Sequence, residues 1–303
     1  MNYEQQIKEV SLIYKTKFYV DEINVSRELL QYCILTSLSK TGLFEKTAFL
    51  GGTSLRLFRG LDRFSEDLDF SLVKPDTSFY FKPYLEKAII ELNNNGINAE
   101  FKDKSKSDVN VKKAFIRDST VPQILEFSWA TRKTDTPQKI NVKLEVDANP
   151  PLGANYETKI IPFPEHEKIT LFDMPSAFAG KCHALLTRKY IKGRDWYDFL
   201  FYVSQHIEPN YKLLTNALKQ TENYTLSQPL MDFKNLAPIL NEKIENLDMA
   251  VVKNDLEDFV TNERNHFIEK WDKNLFHSAV KTMSEYCGKN KEKHRDDDYN
   301  RGR

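Results

Sequence analysis

The stretch FLGGTSLRLFRGLDRFSEDLDFSL, Phe49–Leu72, decides how the rest of the chain is read. The chain has only 10 glycines, yet Gly51 and Gly52 stand side by side. TAFLGG reads as a short buried strand ending in those glycines, TSLRLFRGL as a helix, and SEDLDFSL as a second strand. Alternation in that second strand puts Ser65, Asp67, Asp69 and Ser71 on one face and Leu68, Phe70 and Leu72 on the other. Asp67 and Asp69 are therefore neighbours, and two ionised carboxylates that close repel unless one is protonated or a cation lies between them. Mg²⁺ takes one or two carboxylates together with substrate phosphate oxygens. Upstream, Gly51 and Gly52 let backbone amides approach an anion, Thr53 and Ser54 add hydroxyl donors, and a helix N-terminus favours phosphate. The order strand, Gly-Gly-Thr, helix, D-x-D strand brings a phosphate cradle and a metal site to one end of a sheet.

Working outward, VSRELLQYCILTSLSKTGLF reads as a helix with Leu29, Cys33 and Ser37, and Leu30, Ile34 and Leu38, at three-to-four spacing. Ser26 is its expected N-cap and Gly42 its stop. FKPYLEKAIIELNNNG is a further helix, and GINAEFK, QILEFSWA and KINVKLEVDA read as strands of an antiparallel or mixed sheet. In the last of these, Lys143, Glu145 and Asp147 alternate with Val142, Leu144 and Val146, so Glu145 or Asp147 can supply a third carboxylate. Asp147, at the strand end nearer the loop, is favoured. NPPLGANYETKIIPFPEHEK is rich in proline and turn formers and marks a domain boundary. Beyond it the pattern is helical: Asp173 with Pro175 starts one helix through SAFAGKCHALLTRK, and RDWYDFLFYVSQH forms the next. The small residues Ala177, Ala179, Gly180 and Ala184 would let the first of these approach a neighbour closely. The expected organisation is 1–165, 166–287 and a disordered charged tail at 288–303.

Composition narrows the class. Formal net charge is zero, so any nucleic acid must be held by a local basic patch. Arg56, Arg59 and Arg63 are candidates for one. Three widely spaced cysteines fit neither a disulfide framework nor a zinc motif. The six histidines do not cluster, there is no P-loop signature, and no apolar run reaches the length of a membrane helix. A cytoplasmic protein with no membrane contact is expected, and its three tryptophans read as core.

Gly52-Thr53, the helical spacer and EDLDF together resemble the signature of the polymerase-beta-like nucleotidyltransferase superfamily. More narrowly, Phe49–Leu72 is similar to the leading motif of the AbiE-type abortive-infection toxins, the AbiEii/AbiGii nucleotidyltransferase family. A second block, AGKCHALLTRKYIKGRDWYDFLFYV (Ala179–Val203), agrees with that family, and the two blocks lie in the expected order. The resemblance implies that Lys181 sits where the family places a lysine contacting the nucleoside triphosphate. It also carries Asp195 and Asp198 into the active-site cleft with roles unassigned, although on spacing alone they suit the first turn of a helix. Arg188 shares a helix face with Lys181, and Arg194 can bind phosphate or pair with an acid.

The expected architecture is α/β (α+β): a nucleotidyltransferase domain with a small mixed sheet flanked by helices, then a helical domain closing the nucleotide cleft. The expected reaction moves a nucleoside monophosphate from an NTP to a hydroxyl. Asp67, Asp69 and Asp147 would hold Mg²⁺, and Gly51, Gly52, Thr53 and Ser54, with Lys181, Arg188 and Arg194, would bind the nucleotide. The resemblance further implies a toxin of a bacterial toxin–antitoxin or antiviral defence pair, with an antitoxin protein as partner and the 3′ end of tRNA as acceptor. The alternatives are an antibiotic-type enzyme acting on a small molecule and a nucleotide-binding module without catalysis.

Overall fold

The computed structural model describes residues 3–11, 19–104, 110–118, 120–121, 139–222, 224–226 and 228–287. The expected strand QILEFSWA, Trp129 and the tail from 288 onward lie outside them. Two compact units result: Met1–Pro150 with Tyr156–Phe172, and Pro151–Asn155 with Asp173–Arg303.

The first unit holds helices α1 (Tyr3–Ser11), α2 (Tyr19–Ser39), α3 (Gly51–Arg59) and α4 (Lys82–Asn94). Its strands are β1 (Thr47–Leu50), β2 (Leu68–Leu72), β3 (Ala99–Asp103), β4 (Val111–Asp118), β5 (Ile140–Asp147), β6 (Tyr156–Ile161) and β7 (Glu167–Phe172). They form one mixed sheet in the order β3-β4-β5-β2-β1-β7-β6. The β1–β7 and β2–β5 pairs are parallel and the others antiparallel. One face packs on α2 and α4, where Leu29, Leu30, Ile34 and Leu38 meet Phe70, Val142 and Leu144 in a single buried cluster. Phe49 and Phe70 touch at its centre, ring centroids 5.3 Å apart. The face left over carries the alternate, polar residues of β2 and β5, which is what positions the site.

Three expectations change here. Helix α2 starts at Tyr19, so Ser26 is buried inside it and caps nothing. The expected strand from Ser65 begins only at Leu68. Gln31 Nε2 donates to the carbonyls of Ser65 and Glu66, and Thr53 Oγ1 to that of Asp67, so those acceptors are served by side chains. The stretch read as a boundary contains β6, and β7 continues the sheet past 165. The first unit therefore runs to Phe172 and skips Pro151–Asn155.

The second unit is helical: α5 (Met174–Thr187), α6 (Gly193–Ser204), α7 (Tyr211–Gln220), α8 (Phe233–Glu245), α9 (Met249–Asn254), α10 (Asn262–Ile268) and α11 (Lys273–Tyr286). Asp173 caps α5, accepting from Ser176 N at 2.9 Å. Phe178, Trp196, Phe199 and Tyr202 interlock in the core. The segment Pro151–Asn155 is pinned into this unit by Asn155 N donating to Ser176 Oγ (2.9 Å) and by Asn210 Nδ2 donating to Gly153 O (2.8 Å). Gly180 proves to have nothing within 4 Å of an added β-carbon, so it permits no close helix approach. Gly180→Ala is accordingly expected to stabilise the protein by about 0.5–1 kcal/mol, since alanine restricts the unfolded chain and nothing crowds it when folded. A urea midpoint that fails to rise would contradict this.

Cys33, Cys182 and Cys287 are buried and free. Burial pushes all three thiols far above their ordinary range, Cys287 to about 12, which removes them as nucleophiles. No helix among the described residues is long and apolar enough to cross a membrane.

Candidate active site

In the first unit the site is built where β1 gives way to α3 beside β2. Leu50 pairs with Asp69 across the β1–β2 ladder, so the first residues of α3 fall against the Asp69 carboxylate. Gly51 has φ +82°, and a β-carbon there would collide with Asp69 Oδ2. At Gly52 a β-carbon would come within 2.6 Å of Arg63 Nη2 and 2.9 Å of Ser65 Oγ. The two glycines therefore let one carboxylate and one guanidinium press onto the turn. Gly51→Ala adds left-handed strain of roughly 1–2 kcal/mol and also displaces Asp69. Transfer is expected to fall on the order of 100-fold from the misplaced carboxylate. Unchanged kcat/KM in that variant would contradict the packing.

Asp67 and Asp69 are partly exposed, and their neighbours on β5 follow from the parallel register, which sets Asp69 beside Glu145 and Ser71 beside Asp147. Lys143 Nζ lies 2.7 Å from Glu145 Oε2 and 4.0 Å from Asp67 Oδ2. Lys113, opposite Glu145 on β4, adds a second contact at 2.9 Å. Burial raises the Glu145 carboxyl, but the hydrogen bonds and charges of Lys143 and Lys113 outweigh it and hold the group below its ordinary range. Asp147 behaves oppositely: burial lifts it above its ordinary value, only partly offset by its hydrogen bond from Asn149 N.

Among the described residues no group of three or more His, Cys, Asp or Glu is gathered to share an ion. The expected trio of Asp67, Asp69 and Asp147 is thus not assembled, because the register carries Asp147 past Asp69 to Ser71. Asp67 and Asp69 alone still fit Mg²⁺ by donor chemistry, which needs one or two carboxylates and completes its shell with phosphate and water oxygens. Lys143 beside Asp67 is the counter-charge such a pair requires. In the sequence Lys143 is one polar residue of an alternating strand, and the K-x-E pattern facing D-x-D is the only signal of its role.

The other expected residues are placed as follows. Thr53 and Ser54 are buried, with the Thr53 hydroxyl spent on Asp67 O, so it ties α3 to the lead-in of β2. The expected arginine patch is not a patch. Arg56 pairs with Glu28 at 2.7 Å, Arg59 pairs with Glu157, and Arg63 is buried, donating to Phe64 O.

In the second unit, Lys181 Nζ bridges Asp195 Oδ1 (2.7 Å) and Asp198 Oδ2 (2.8 Å), and Arg188 Nη1 reaches Asp195 Oδ2 at 3.1 Å. Lys192, not Asp195, takes the N-cap position of α6, while Asp195 and Asp198 point inward along that helix. Burial raises the Asp195 carboxyl, yet Lys181 and Arg188 together hold it below its ordinary range. Sequence spacing thus brought Lys181 and Arg188 to the same carboxylate. Arg194 turns elsewhere: its backbone N–H and guanidinium engage Asp255, and the guanidinium covers the Phe259 ring at 3.8 Å.

The family model for the AbiEii nucleotidyl transferase toxin of type IV toxin–antitoxin systems matches residues 33–275. No curated protein matches the chain. Among solved structures, a candidate nucleotidyltransferase from H. pylori is 19% identical, with 84% of this chain and 96% of that one covered and a TM-score of 0.48. JHP933 from Helicobacter pylori is also 19% identical, with 86% and 95% covered and a TM-score of 0.48.

Proposed function

We propose a specific reaction for this chain, which belongs to the AbiEii nucleotidyl transferase toxin family and is a nucleotidyltransferase: transfer of a nucleoside monophosphate from an NTP to the 3′ hydroxyl of tRNA. The acceptor oxygen bonds to the α-phosphorus, the bond from that phosphorus to the bridging oxygen breaks, and pyrophosphate leaves. The observation that supports the nucleotidyl-transfer part of this reading is the close approach of Gly51 to Asp69, which sets a phosphate-accommodating turn against the D-x-D pair, while the tRNA acceptor rests on the family resemblance.

Mg²⁺ held by Asp67 and Asp69 would neutralise phosphate charge. The remaining roles belong to the chain itself. The Gly51–Gly52 turn opens α3 and offers backbone N–H groups to phosphate. Glu145, clamped by two lysines, holds Lys143 beside Asp67. Either β5 carboxylate is a proposed acceptor of the hydroxyl proton: Glu145 lies beside Asp69, and Asp147, one pair further along, is the more basic. From the second unit, Lys181 is the proposed triphosphate contact and Asp195 and Asp198 its orienting carboxylates. Such chemistry is positioning and charge stabilisation, which these groups can supply. An antitoxin protein is the expected partner in the cell.

Incubating the protein with Mg²⁺, total tRNA and each labelled NTP in turn tests the reading. Label on RNA names the nucleotide. Pyrophosphate released only when a small hydroxylated drug replaces the RNA would transfer the assignment to the antibiotic-type reaction.

A further inference from the structure

The loop between α5 and α6, with the end of α8, lines a pocket that meets the proposed site only at Asp195 and Arg188 and whose remaining cations the reaction above does not use. Arg188, Lys189, Tyr190 and Lys192 line it from the loop, and Lys243 and Asn246 from the α8 side. Four cationic side chains face a single carboxylate, Asp195, which already serves Lys181 and Arg188. Among the described residues, none of Lys189, Lys192 and Lys243 forms an ion pair within 4 Å, and Asp195 acts on Lys192 only at longer range. In a chain of zero net charge this is a local surplus, and it is costly: burial and then the charges of Arg194, Arg188 and Lys181 push the Lys192 ammonium below its ordinary range despite Asp195. A bound anion would relieve that repulsion. Beside the cations stands Tyr190, 66% exposed, with the Arg188 guanidinium 5.3 Å from its ring centre. Cations next to an outward aromatic face suit a phosphate backbone with a base stacked on the ring, and every base has such a face.

We infer that this pocket is a docking site for single-stranded RNA, with Lys192 and Lys243 on backbone phosphates and Tyr190 stacking a base. The inference deepens the acceptor assignment and rests on it only for the identity of the RNA. Lys189, Lys192, Lys243 and Tyr190 are separate from the residues assigned to NTP and metal. Lys192 acts on Lys181 and Asp195 through charge and Tyr190 packs on Arg188, so NTP affinity is measured beside RNA affinity in each variant.

The test uses the full-length protein and a fluorescent 12-nucleotide RNA with a free 3′ end, titrated by anisotropy without NTP. The double variant Lys192→Gln/Lys243→Gln is expected to weaken RNA binding roughly tenfold at moderate salt and to reduce the slope of log affinity against log salt by about 1.4. Tyr190→Ala is expected to weaken it roughly tenfold with the salt slope kept. Both variants should bind labelled NTP as the parent does. Unchanged RNA affinity in both overturns the inference. So does a loss of NTP affinity in its place, which would make the pocket a triphosphate subsite, or a loss confined to antitoxin binding. Retained RNA binding by a parent that labels no RNA would sink the acceptor assignment and leave the pocket standing. Labelling of tRNA by variants that bind it normally would do the reverse.

Discussion

Asp69→Asn is expected to lower nucleotidyl transfer at least about 100-fold while leaving the urea midpoint essentially unmoved. The substitution keeps the shape that packs against Gly51 and removes only the charge. Its stability cost is small because Asp69 is partly exposed, and losing its attraction to Lys143 is offset by relief of its repulsion with Asp67 and Glu145. Its catalytic cost is large because the pair Asp67–Asp69 becomes a single carboxylate where positive charge must be held against phosphate. Rates are to be measured as pyrophosphate release with saturating Mg²⁺ and NTP, alongside a denaturation curve. A variant that folds normally and retains full rate would remove D-x-D from the mechanism.

Lys181→Met should produce the largest loss of stability. Lys181 is the cation between two carboxylates, of which Asp198 is 0% exposed, and breaking a buried ion pair by removing one partner costs about 3–5 kcal/mol. The pH dependence follows from the direction of the Asp195 shift. Its folded value lies below the 3.8 of a free aspartate, so its contribution is complete above that value and is lost as pH falls through the lower folded one. Removing Lys181 takes away the strongest of the charges that depress it, so the acid loss of stability moves to higher pH. Arg188 still contacts Asp195 and keeps the shift from vanishing. Lys181→Arg should recover much of the stability. Equal urea midpoints for parent and Lys181→Met at neutral pH would show that the network carries no stability.

The parts of the fold legible from the sequence were those whose cause is local. β5 announces itself by the alternation of Val142, Leu144 and Val146 with polar residues, and α5 by its Asp173 cap. β4 escaped because its inward row includes Lys112 and Asp118, both buried, so the pattern reads as charged rather than half-apolar. β6 and β7 were hidden by the prolines around them and by Ile160, which an edge strand leaves 51% exposed. The site divides in the same way. The nearness of Gly51–Gly52 to Asp67 and Asp69 follows from short chain segments. The choice between Glu145 and Asp147, and the place of Lys143, depend on a parallel register between strands some seventy residues apart in the chain, which no local pattern encodes. Lys192 and Lys243 meet for a similarly remote reason, through the packing of helices.

The short excursion Pro151–Asn155 makes the protein indivisible at any one point of its chain. A cut after Phe172 frees a sheet still trailing five residues that belong to the other unit. It also leaves Ser176 without the Asn155 N–H and Asn210 without the Gly153 carbonyl. Neither half is a continuous segment, so recombination that exchanges one stretch of gene for another cannot swap one unit cleanly for a relative's. A single crossover therefore moves the sheet that carries the carboxylate pair and the helices that carry Lys181 intact only when it moves both.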